Sequence, residues 1–254
     1  MTGIWSHESG AEDAPLLVAI HGAMDRSASM VKLSRLLDHE FRVLRYDRRG
    51  YGRSKPHDGP FTMHDQVDDL VELVGERPAI LFGHSFGGDV ALAAADRYPG
   101  LVRAVAVYET PLSWLDWWPG STKSWPAGQD PAVAAERFMR RMIGDDRWEA
   151  LPARSRAERL EEGPALTAEL ADLAANAPWS FERITMPFVA MYGGATVNHH
   201  RTAAIYLAEH IPGTVRDGAF DGAAIPVAGA SHNGPYTDPQ PVADVLRALA
   251  KIAT

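Results

Sequence analysis

The chain has 254 residues, of which 46% are hydrophobic and 23% are charged, with a formal net charge of −8 and no cysteine. This length is enough for one large α/β domain with a sizeable core. The acidic balance is not typical of proteins that bind nucleic acid or an anionic membrane, and the lack of cysteine excludes disulfides, thiolate metal sites and cysteine nucleophiles.

The N-terminal sequence MTGIWSHESGAEDAP has no basic region followed by an apolar run, so it is not typical of a signal peptide. The longest apolar runs, such as residues 15–20, have the length of strands and are far shorter than the roughly 20 residues of a membrane span. We therefore expect a cytoplasmic protein that acts on a small molecule, with no nucleic acid or membrane partner, as a monomer or a small homo-oligomer.

Short apolar runs typical of β-strands alternate with helical patterns from the start of the chain. This alternation indicates parallel strands joined by crossover helices, with both faces of the sheet covered. The loops at the carboxyl ends of such strands meet at one edge, where a functional site is expected. The predicted strands are 15–22, 41–47, 78–84, 102–109, 187–194 and a short one near 223–229, and the predicted helices are 29–40, 62–75, 87–97, 201–211 and 241–252.

The alternation of strands and helices lapses between residues 110 and 185. This segment contains six of the seven tryptophans, three of them in WLDWW, and helical patterns at 131–144 and 165–177. We interpret 110–185 as a helical cap over the carboxyl edge of the sheet, because an apolar layer there would cover the site and shape a pocket. Residues 1–109 and 186–254 then form the α/β core. The alternative is a second small domain that only packs against the first.

The sequence GHSFGG at 83–88 places Ser85 where a strand pattern gives way to an alanine-rich helical pattern. The motif G-x-S-x-G is weak by itself, but here it stands between a strand and a helix. Small neighbours let the two elements approach each other around the strained turn that exposes the hydroxyl, and the helix N-terminus favours a developing oxyanion. We therefore predict that Ser85 is a nucleophile. The alternative is a serine that only caps the helix.

An oxyanion hole in this arrangement takes one N–H group from the residue after the nucleophile and a second from a loop after an earlier strand. The first residue is Phe86. The second is Ala23, since Gly22 permits a tight turn after the strand at 15–22. His21 stands next to this turn, and we assign it a structural hydrogen-bonding role.

The general base must reach Ser85 and accept its proton near neutral pH, which suits a histidine. Of the ten histidines, His232 follows the last short strand and precedes the closing helix, at the same sheet edge as Ser85. We therefore predict that His232 is the base. His84 is expected to point into the fold, and His199 and His200 are expected to form a pair that faces the solvent.

Four stretches together resemble the α/β-hydrolase fold with a helical cap: IHGAMDRS at 20–27, YDRRGYGRS at 46–54, GHSFGG at 83–88 and ASHNGP at 230–235. The resemblance covers nearly the whole chain in the expected order. It implies an eight-stranded, mostly parallel sheet with helices on both faces, and a nucleophile, an acid and a histidine in that chain order. The turn at 47–54 receives a structural role.

The acid departs from the pattern that the resemblance implies. The family usually places an aspartate three residues beyond a glycine after the strand that follows the cap, but that spacing reaches Thr196 or Val197. Glu109 offers a substitute at the end of the preceding strand, where some members of the fold carry their acid. Neighbouring strands are about 5 Å apart, so this carboxylate can approach the imidazole. We predict that Glu109 is the acid. The alternatives are Asn198, as a neutral group that orients the imidazole, and, more remotely, Asp116.

These residues indicate a serine hydrolase of the carboxylesterase type that needs no metal and no organic cofactor. A serine nucleophile does not separate esters from thioesters, lactones or carbon–carbon bonds, so acyl transfer and carbon–carbon cleavage stay open. A second hypothesis is a ligand-binding protein on a hydrolase scaffold with little turnover, which the missing aspartate favours.

Overall fold

A seven-stranded sheet forms the centre of the computed structural model, which describes residues 3–119 and 128–253. The strands lie in the order β1-β3-β2-β4-β5-β6-β7. β1 pairs antiparallel with β3, and every other pairing is parallel. The strands are β1 (Ser6–Ser9), β2 (Leu16–Ile20), β3 (Arg42–Tyr46), β4 (Ala79–His84), β5 (Val102–Tyr108), β6 (Phe188–Gly193) and β7 (Ile225–Val227).

The number of strands differs from the eight that the resemblance implied, since the described ranges hold seven. All six strands predicted from the sequence are present, with ends that differ by a few residues. The added strand is β1, whose sequence SHES is polar and mostly faces solvent. An edge strand of this composition has no apolar alternation, so a search for hydrophobic patterns overlooks it.

Ten α-helices accompany the sheet within the described ranges, and none of them has the length and apolar character needed to cross a bilayer. Between β2 and β5 lie α1 (Val31–Leu37), α2 (Met63–Val74) and α3 (Phe86–Arg97). Between β5 and β6 lie α4 (Pro131–Ile143), α5 (Asp145–Ala150), α6 (Ala153–Leu160) and α7 (Gly163–Ala175). After β6 come α8 (Asn198–His210), α9 (Gly234–Thr237) and α10 (Gln240–Ala250).

Both faces of the sheet are covered because successive residues of a strand point to opposite sides. Along β2, Leu16, Val18 and Ile20 pack into one buried cluster together with α2, α3 and α8. Leu17 and Ala19 pack into a second cluster together with α1 and α10. All five residues of β2 are buried, which explains why this strand is apolar without interruption.

Four helices, α4 to α7, lie in the described part of the segment between β5 and β6. The helical patterns at 131–144 and 165–177 correspond to α4 and α7, and α5 and α6 are additional. Residues 120–127, which include Trp125, lie outside the described residues.

A buried ion pair joins α7 to the core. The Arg48 guanidinium donates to both oxygens of Glu169, with the shorter distance 2.7 Å, and neither side chain is exposed. Arg48 also donates to the main-chain oxygens of His21 and Gly22, while the Tyr51 hydroxyl donates to Glu169. The turn after β3 therefore links α7 to the loop after β2, as its predicted structural role requires.

Candidate active site

Ser85 lies on the sharp turn between β4 and α3 and adopts a φ of 53° and a ψ of −128°, a conformation that costs most residues about 1–3 kcal/mol. Its side chain makes no capping hydrogen bond to α3. The helix-capping alternative is therefore not supported, and the hydroxyl stays available at the carboxyl edge of the sheet. A Cβ atom at Gly83 would collide with the backbone of Gly87 and Gly88, which explains the glycines around the turn.

The loop after β2 passes directly beside Ser85. A Cβ atom at Gly22 would lie 3.0 Å from the Cβ atom of Ser85, so only glycine allows this approach without displacement. Ala23 and Phe86, the predicted oxyanion-hole residues, line the same cavity as Ser85. Met24, two residues after Gly22, also has a positive φ of 54°. The loop after β2, which the sequence predicted to complete the oxyanion hole, therefore lies beside Ser85.

Glu109 continues β5 by one residue and has a φ of 51°. Its N–H group still donates to the Met191 oxygen of β6, and its side chain is fully buried. The carboxylate accepts a hydrogen bond from Gly193 N–H at 2.8 Å and from the Thr196 hydroxyl at 2.9 Å. Its Oε2 atom lies 2.6 Å from His232 Nδ1. The backbone turn at Glu109 and the donors from the end of β6 together hold the carboxylate against the imidazole.

His232 lies on the loop between β7 and α9, next to Ser85 in the cavity wall. Tyr108 donates its hydroxyl to the main-chain oxygen of Ser231 at 2.7 Å, which ties the loop to β5. With Nδ1 donating to Glu109, the Nε2 atom carries the lone pair. Burial lowers the pKa of His232 to about 4, so the ring is neutral at pH 7 and able to accept a proton.

His84 points into the fold, as predicted, and supports the loop that carries His232. Its Nε2 atom lies 2.8 Å from the main-chain oxygen of His232, a contact in which the ring must donate. Nδ1 is then the acceptor for the Tyr236 hydroxyl. Burial lowers the pKa of His84 to about 3, which keeps this neutral tautomer in place.

His21 makes the structural contacts that were predicted for it. Its Nδ1 atom lies 2.8 Å from the Gly22 oxygen, and its Nε2 atom accepts the Arg48 N–H group at 2.9 Å. The ring is fully buried, and burial is the main reason why its pKa falls to about 4. His21 thus fixes the loop after β2 without facing the cavity.

The prediction that His199 and His200 face the solvent is wrong for His200. Its ring stacks on His232 with a centroid distance of 4.6 Å, and its side chain is only 15% exposed. Its buried Nδ1 atom has no hydrogen-bond partner and lies 3.9 Å from Glu109 Oε2. His199 lies beside it and lines the same cavity. Since α8 begins at Asn198, both histidines occupy its first turn at the carboxyl edge of β6, a position that could have indicated a site.

The two alternatives to Glu109 are the neutral amide of Asn198 and the carboxylate of Asp116. Asn198 and Asp116 are exposed, whereas Glu109 is buried and in hydrogen-bond contact with His232. Thr196 occupies the place where the family pattern expects an aspartate, and its hydroxyl donates to Glu109 instead.

Glu109, His200 and His232 are also close enough to be considered as metal ligands, since one potential ligand atom of each lies within 4.8 Å of the others. A metal ion must lie near the plane of each imidazole that binds it. The two rings are stacked with an interplanar angle of 24°, so their lone pairs run side by side and do not converge. Binding would require one ring to turn and would take Glu109 away from His232. The observed arrangement therefore fits a hydrogen-bonded pair better than a metal site.

Two adjoining cavities meet at Ser85 and His232, with volumes of about 460 Å³ and 290 Å³. Phe138 and Met142 of α4 line both of them, and Leu170 of α7 lines the larger. A larger cleft of about 830 Å³ lies between the turn after β3 and α6, and it does not include Ser85. We assign the site to the two cavities at Ser85, because both are lined by Ser85 and by His232, whose imidazole contacts the buried Glu109 carboxylate.

This arrangement is suited to nucleophilic catalysis. The Ser85 hydroxyl, the His232 imidazole and the Glu109 carboxylate follow β4, β7 and β5, and Ser85 and His232 line the same cavities. The neutral imidazole can take a proton from a hydroxyl, and the carboxylate can stabilise the resulting imidazolium.

Comparisons with known proteins agree with this arrangement. The chain is 34% identical over 98 residues to 2-(acetamidomethylene)succinate hydrolase of Mesorhizobium japonicum, covering 37% of this chain and 35% of that protein. It is 35% identical over 117 residues to the bifunctional esterase/perhydrolase of Acinetobacter calcoaceticus, covering 42% and 41%. The matched segment thus spans about a third to two fifths of these relatives.

A solved structure extends the likeness to nearly the whole fold. The thermophilic esterase from Thermogutta terrifontis superposes with a TM-score of 0.71 at 20% identity, covering 98% of this chain and 93% of that one. Residues 15–188 match the family described as the alpha/beta hydrolase fold, a stretch that contains the nucleophile turn and Glu109. The chain therefore belongs to the alpha/beta hydrolase family, whose members among its relatives include esterases and other hydrolases.

Proposed function

We propose that the protein is a serine hydrolase of the carboxylesterase type, with Ser85 as nucleophile, His232 as base and Glu109 as acid. The observation that carries the proposal is the 2.6 Å contact between Glu109 Oε2 and His232 Nδ1 beside a serine held at positive φ. The relative from Acinetobacter calcoaceticus is named as an esterase, which supports ester substrates.

In the proposed reaction, His232 Nε2 removes the proton from the Ser85 hydroxyl as its oxygen attacks the acyl carbon. The imidazolium then gives this proton to the leaving alkoxide, and an acyl-enzyme remains. Water deprotonated by the same imidazole releases the acid and restores the serine. Glu109 keeps the proton on Nδ1 and stabilises the imidazolium in both steps.

The oxyanion of each tetrahedral intermediate is proposed to bind the N–H groups of Ala23 and Phe86. The approach of Gly22 to Ser85 supports this, since it leaves the following N–H group beside the nucleophile. Phe86 begins α3, where N–H groups are free and the helix dipole favours negative charge.

We also propose that residues 110–185 act as a cap that shapes the acyl pocket. Support comes from the apolar side chains of α4 and α7 in the cavity wall, among them Phe138 and Leu170. A cytoplasmic location and a monomeric or small oligomeric state are part of the same proposal.

The hypothesis of a ligand-binding protein with little turnover loses its main support, because it depended on the lack of a carboxylate partner for the imidazole. Carbon–carbon cleavage or acyl transfer would use the same three residues and remains the second chemistry to test.

A fluorophosphonate probe tests the proposed nucleophile, since it labels only an activated serine. We expect labelling of the wild-type protein, loss of labelling and of p-nitrophenyl ester hydrolysis in Ser85→Ala, and an unchanged melting temperature. Ser231→Ala is the matched control, because it removes another hydroxyl from the same cavity wall and should keep the label. Full hydrolysis by folded Ser85→Ala would refute the proposal.

A further inference from the structure

Arg141 of α4 lines the larger cavity, the one of about 460 Å³ that contains Ser85 and His232. Its guanidinium carbon lies 5.1 Å from the centre of the Phe138 ring, which is part of the same wall. The side chain is exposed to solvent, yet burial of its surroundings lowers the pKa of Arg141. An arginine that lines a cavity open to solvent can be exposed and still have a lowered pKa. Its guanidinium stays protonated at neutral pH.

The charge of Arg141 has no acidic partner. The adjacent Arg140 pairs with Glu136, Asp145 and Glu149, whereas no carboxylate of the described ranges pairs with Arg141. The sequence GSTKSWPA at 120–127 contains no acidic residue either. α4 thus carries one neutralised arginine and, directly after it, one that is free to bind an anion.

The described residues that line the larger cavity include Arg141 but no carboxylate, whereas Asp25 lines the adjoining cavity and Glu109 lies behind His232. Among these described residues of the larger cavity, Arg141 alone carries a permanent charge. The protein as a whole has a net charge of −8, so this cavity differs in sign from the molecule around it. A charge distribution of this kind concentrates anions at the site.

Arg141 also influences the predicted base. Burial is the main reason for the lowered pKa of His232, followed by the charge of Asp25, which raises it, and by His199 and Arg141, which lower it. The effect of Arg141 on the base is thus small beside burial and Asp25, and the role that we consider for Arg141 is the binding of an anion.

We propose that the enzyme acts on esters that carry a carboxylate, and that Arg141 binds this carboxylate through its forked N–H groups. The inference rests on the proposed hydrolase function of Ser85. The carboxylate can belong to the acyl chain or to the leaving group, since Arg141 and the nucleophile share one cavity. Guanidinium and carboxylate groups form paired, charge-assisted hydrogen bonds that favour such substrates over neutral ones.

Two pairs of substrates separate these sources. The acyl pair is the mono-4-nitrophenyl ester of adipate and the same ester of adipamic acid, in which an amide replaces the carboxylate. The leaving-group pair is 3-carboxyphenyl butanoate and 3-carbamoylphenyl butanoate. We expect the wild-type enzyme to prefer the anionic member of at least one pair by about tenfold or more in kcat/KM.

Arg141→Gln should abolish this preference by lowering kcat/KM for the anionic ester about tenfold or more, with little change for the neutral ester. Arg141→Lys should restore part of it, because the charge returns without the fork. The matched control is Arg137→Gln, which removes a charge from an exposed position one turn earlier on α4, outside the cavity. This control should keep the preference of the wild-type enzyme.

The outcomes distinguish this inference from the proposed function. The role of Arg141 is overturned if the enzyme turns over neutral esters and prefers neither anionic ester. It is also overturned if a preference survives in Arg141→Gln. In both cases the proposed hydrolase function of Ser85 stands. If no ester is turned over, calorimetric titration with adipate decides. Saturable binding that is lost in Arg141→Gln supports the anion site, and its absence, or equal binding by both proteins, refutes it.

Discussion

The ends of β5 and β6 lie side by side at the carboxyl edge of the sheet, and they contribute different groups to the site. β5 ends in Glu109, a buried carboxylate on a backbone with positive φ. The N–H group of Gly193, the last residue of β6, and the hydroxyl of Thr196, three residues later, both donate to this carboxylate. The charge therefore comes from one strand, and the groups that hold it come from the next.

If Glu109 is the acid, as we propose, the acid in this fold can lie on either of two neighbouring strands. An aspartate after β6 would reach the imidazole directly, whereas here the position near Thr196 has become a hydrogen-bond donor. Because neighbouring parallel strands end about 5 Å apart, either strand can place a carboxylate beside the same ring. The donors then keep the buried charge from being isolated.

The largest expected effect tests the strand that carries the charge. Glu109→Gln should lower kcat for ester hydrolysis by roughly 10²- to 10⁴-fold, because the amide cannot stabilise the imidazolium or hold the productive tautomer. Steady-state kinetics with a p-nitrophenyl ester provide the measurement. Glu209→Gln, an exposed change near the end of α8, is the control and should have no effect.

A second change in the same background sharpens the test. Thr196→Asp combined with Glu109→Gln places a carboxylate at the other strand end and should recover part of the lost kcat. Nearly full activity of Glu109→Gln would contradict the role of Glu109 as the acid. A double variant that folds normally but recovers no activity would contradict the idea that either strand end can serve His232.

The buried imidazoles around these strand ends predict a loss of stability in acid. His21, His84 and His232 have folded-state pKa values of about 4, 3 and 4, below the value of about 6.5 expected in the unfolded chain. The unfolded state therefore binds more protons as the pH falls below 6.5. Their contribution is complete above 6.5, and by pH 5.5 it should be reduced by on the order of 1 kcal/mol for each histidine.

Urea unfolding at pH 7.5 and 5.5 measures this loss in a range above the titration of ordinary carboxyl groups. His39→Gln serves as the control, because this side chain is 88% exposed and should leave the pH dependence unchanged. A free energy of unfolding that stays constant across this range would contradict the lowered pKa values.

A smaller effect is expected from the donor on the β6 side. Thr196→Val keeps the shape of the side chain but removes its hydrogen bond to Glu109, while Gly193 N–H remains. A hydrogen bond to a charged group contributes about 1.5–3 kcal/mol, and because only part of this acts on the transition state we expect kcat to fall by about tenfold. Thr196→Ser keeps the hydroxyl, so the ratio of kcat in Thr196→Val to kcat in Thr196→Ser measures the contribution of this hydrogen bond. An effect as large as that of Glu109→Gln would mean that the two strand ends are not distinct in role.

The smallest effect is expected at the second imidazole. His200→Phe retains a ring that can stack on His232 and removes the unpartnered Nδ1 atom. We expect a change in kcat of less than about threefold, since the stacking energy is largely kept. His232→Phe is the comparison and should abolish turnover. Similar losses in both variants would show that Glu109 serves His200 as well as His232.

Much of this arrangement could be predicted from the sequence because it depends on local patterns. The six strands predicted from the sequence have apolar runs, and the turn at Ser85 needs small residues because backbone atoms approach closely there. β1 could not be found in this way, since its pairing with β3 involves polar residues whose main-chain bonds do not depend on side-chain type. His200 was misplaced because its neighbours come from distant parts of the chain.

The sequence by itself determined the alternation of strands and helices, the serine turn and the histidine loop, since each of these depends on residues close together in the chain. Only the tertiary structure decided which carboxylate meets His232, because Glu109 and His232 are 123 positions apart and their contact requires β5, β6 and β7 to lie in that order in the sheet. The same is true of Arg141, whose charge matters because α4 packs where its side chain shares a cavity with Ser85. Periodicity predicts that α4 is a helix, but only packing sets which side chains face the nucleophile.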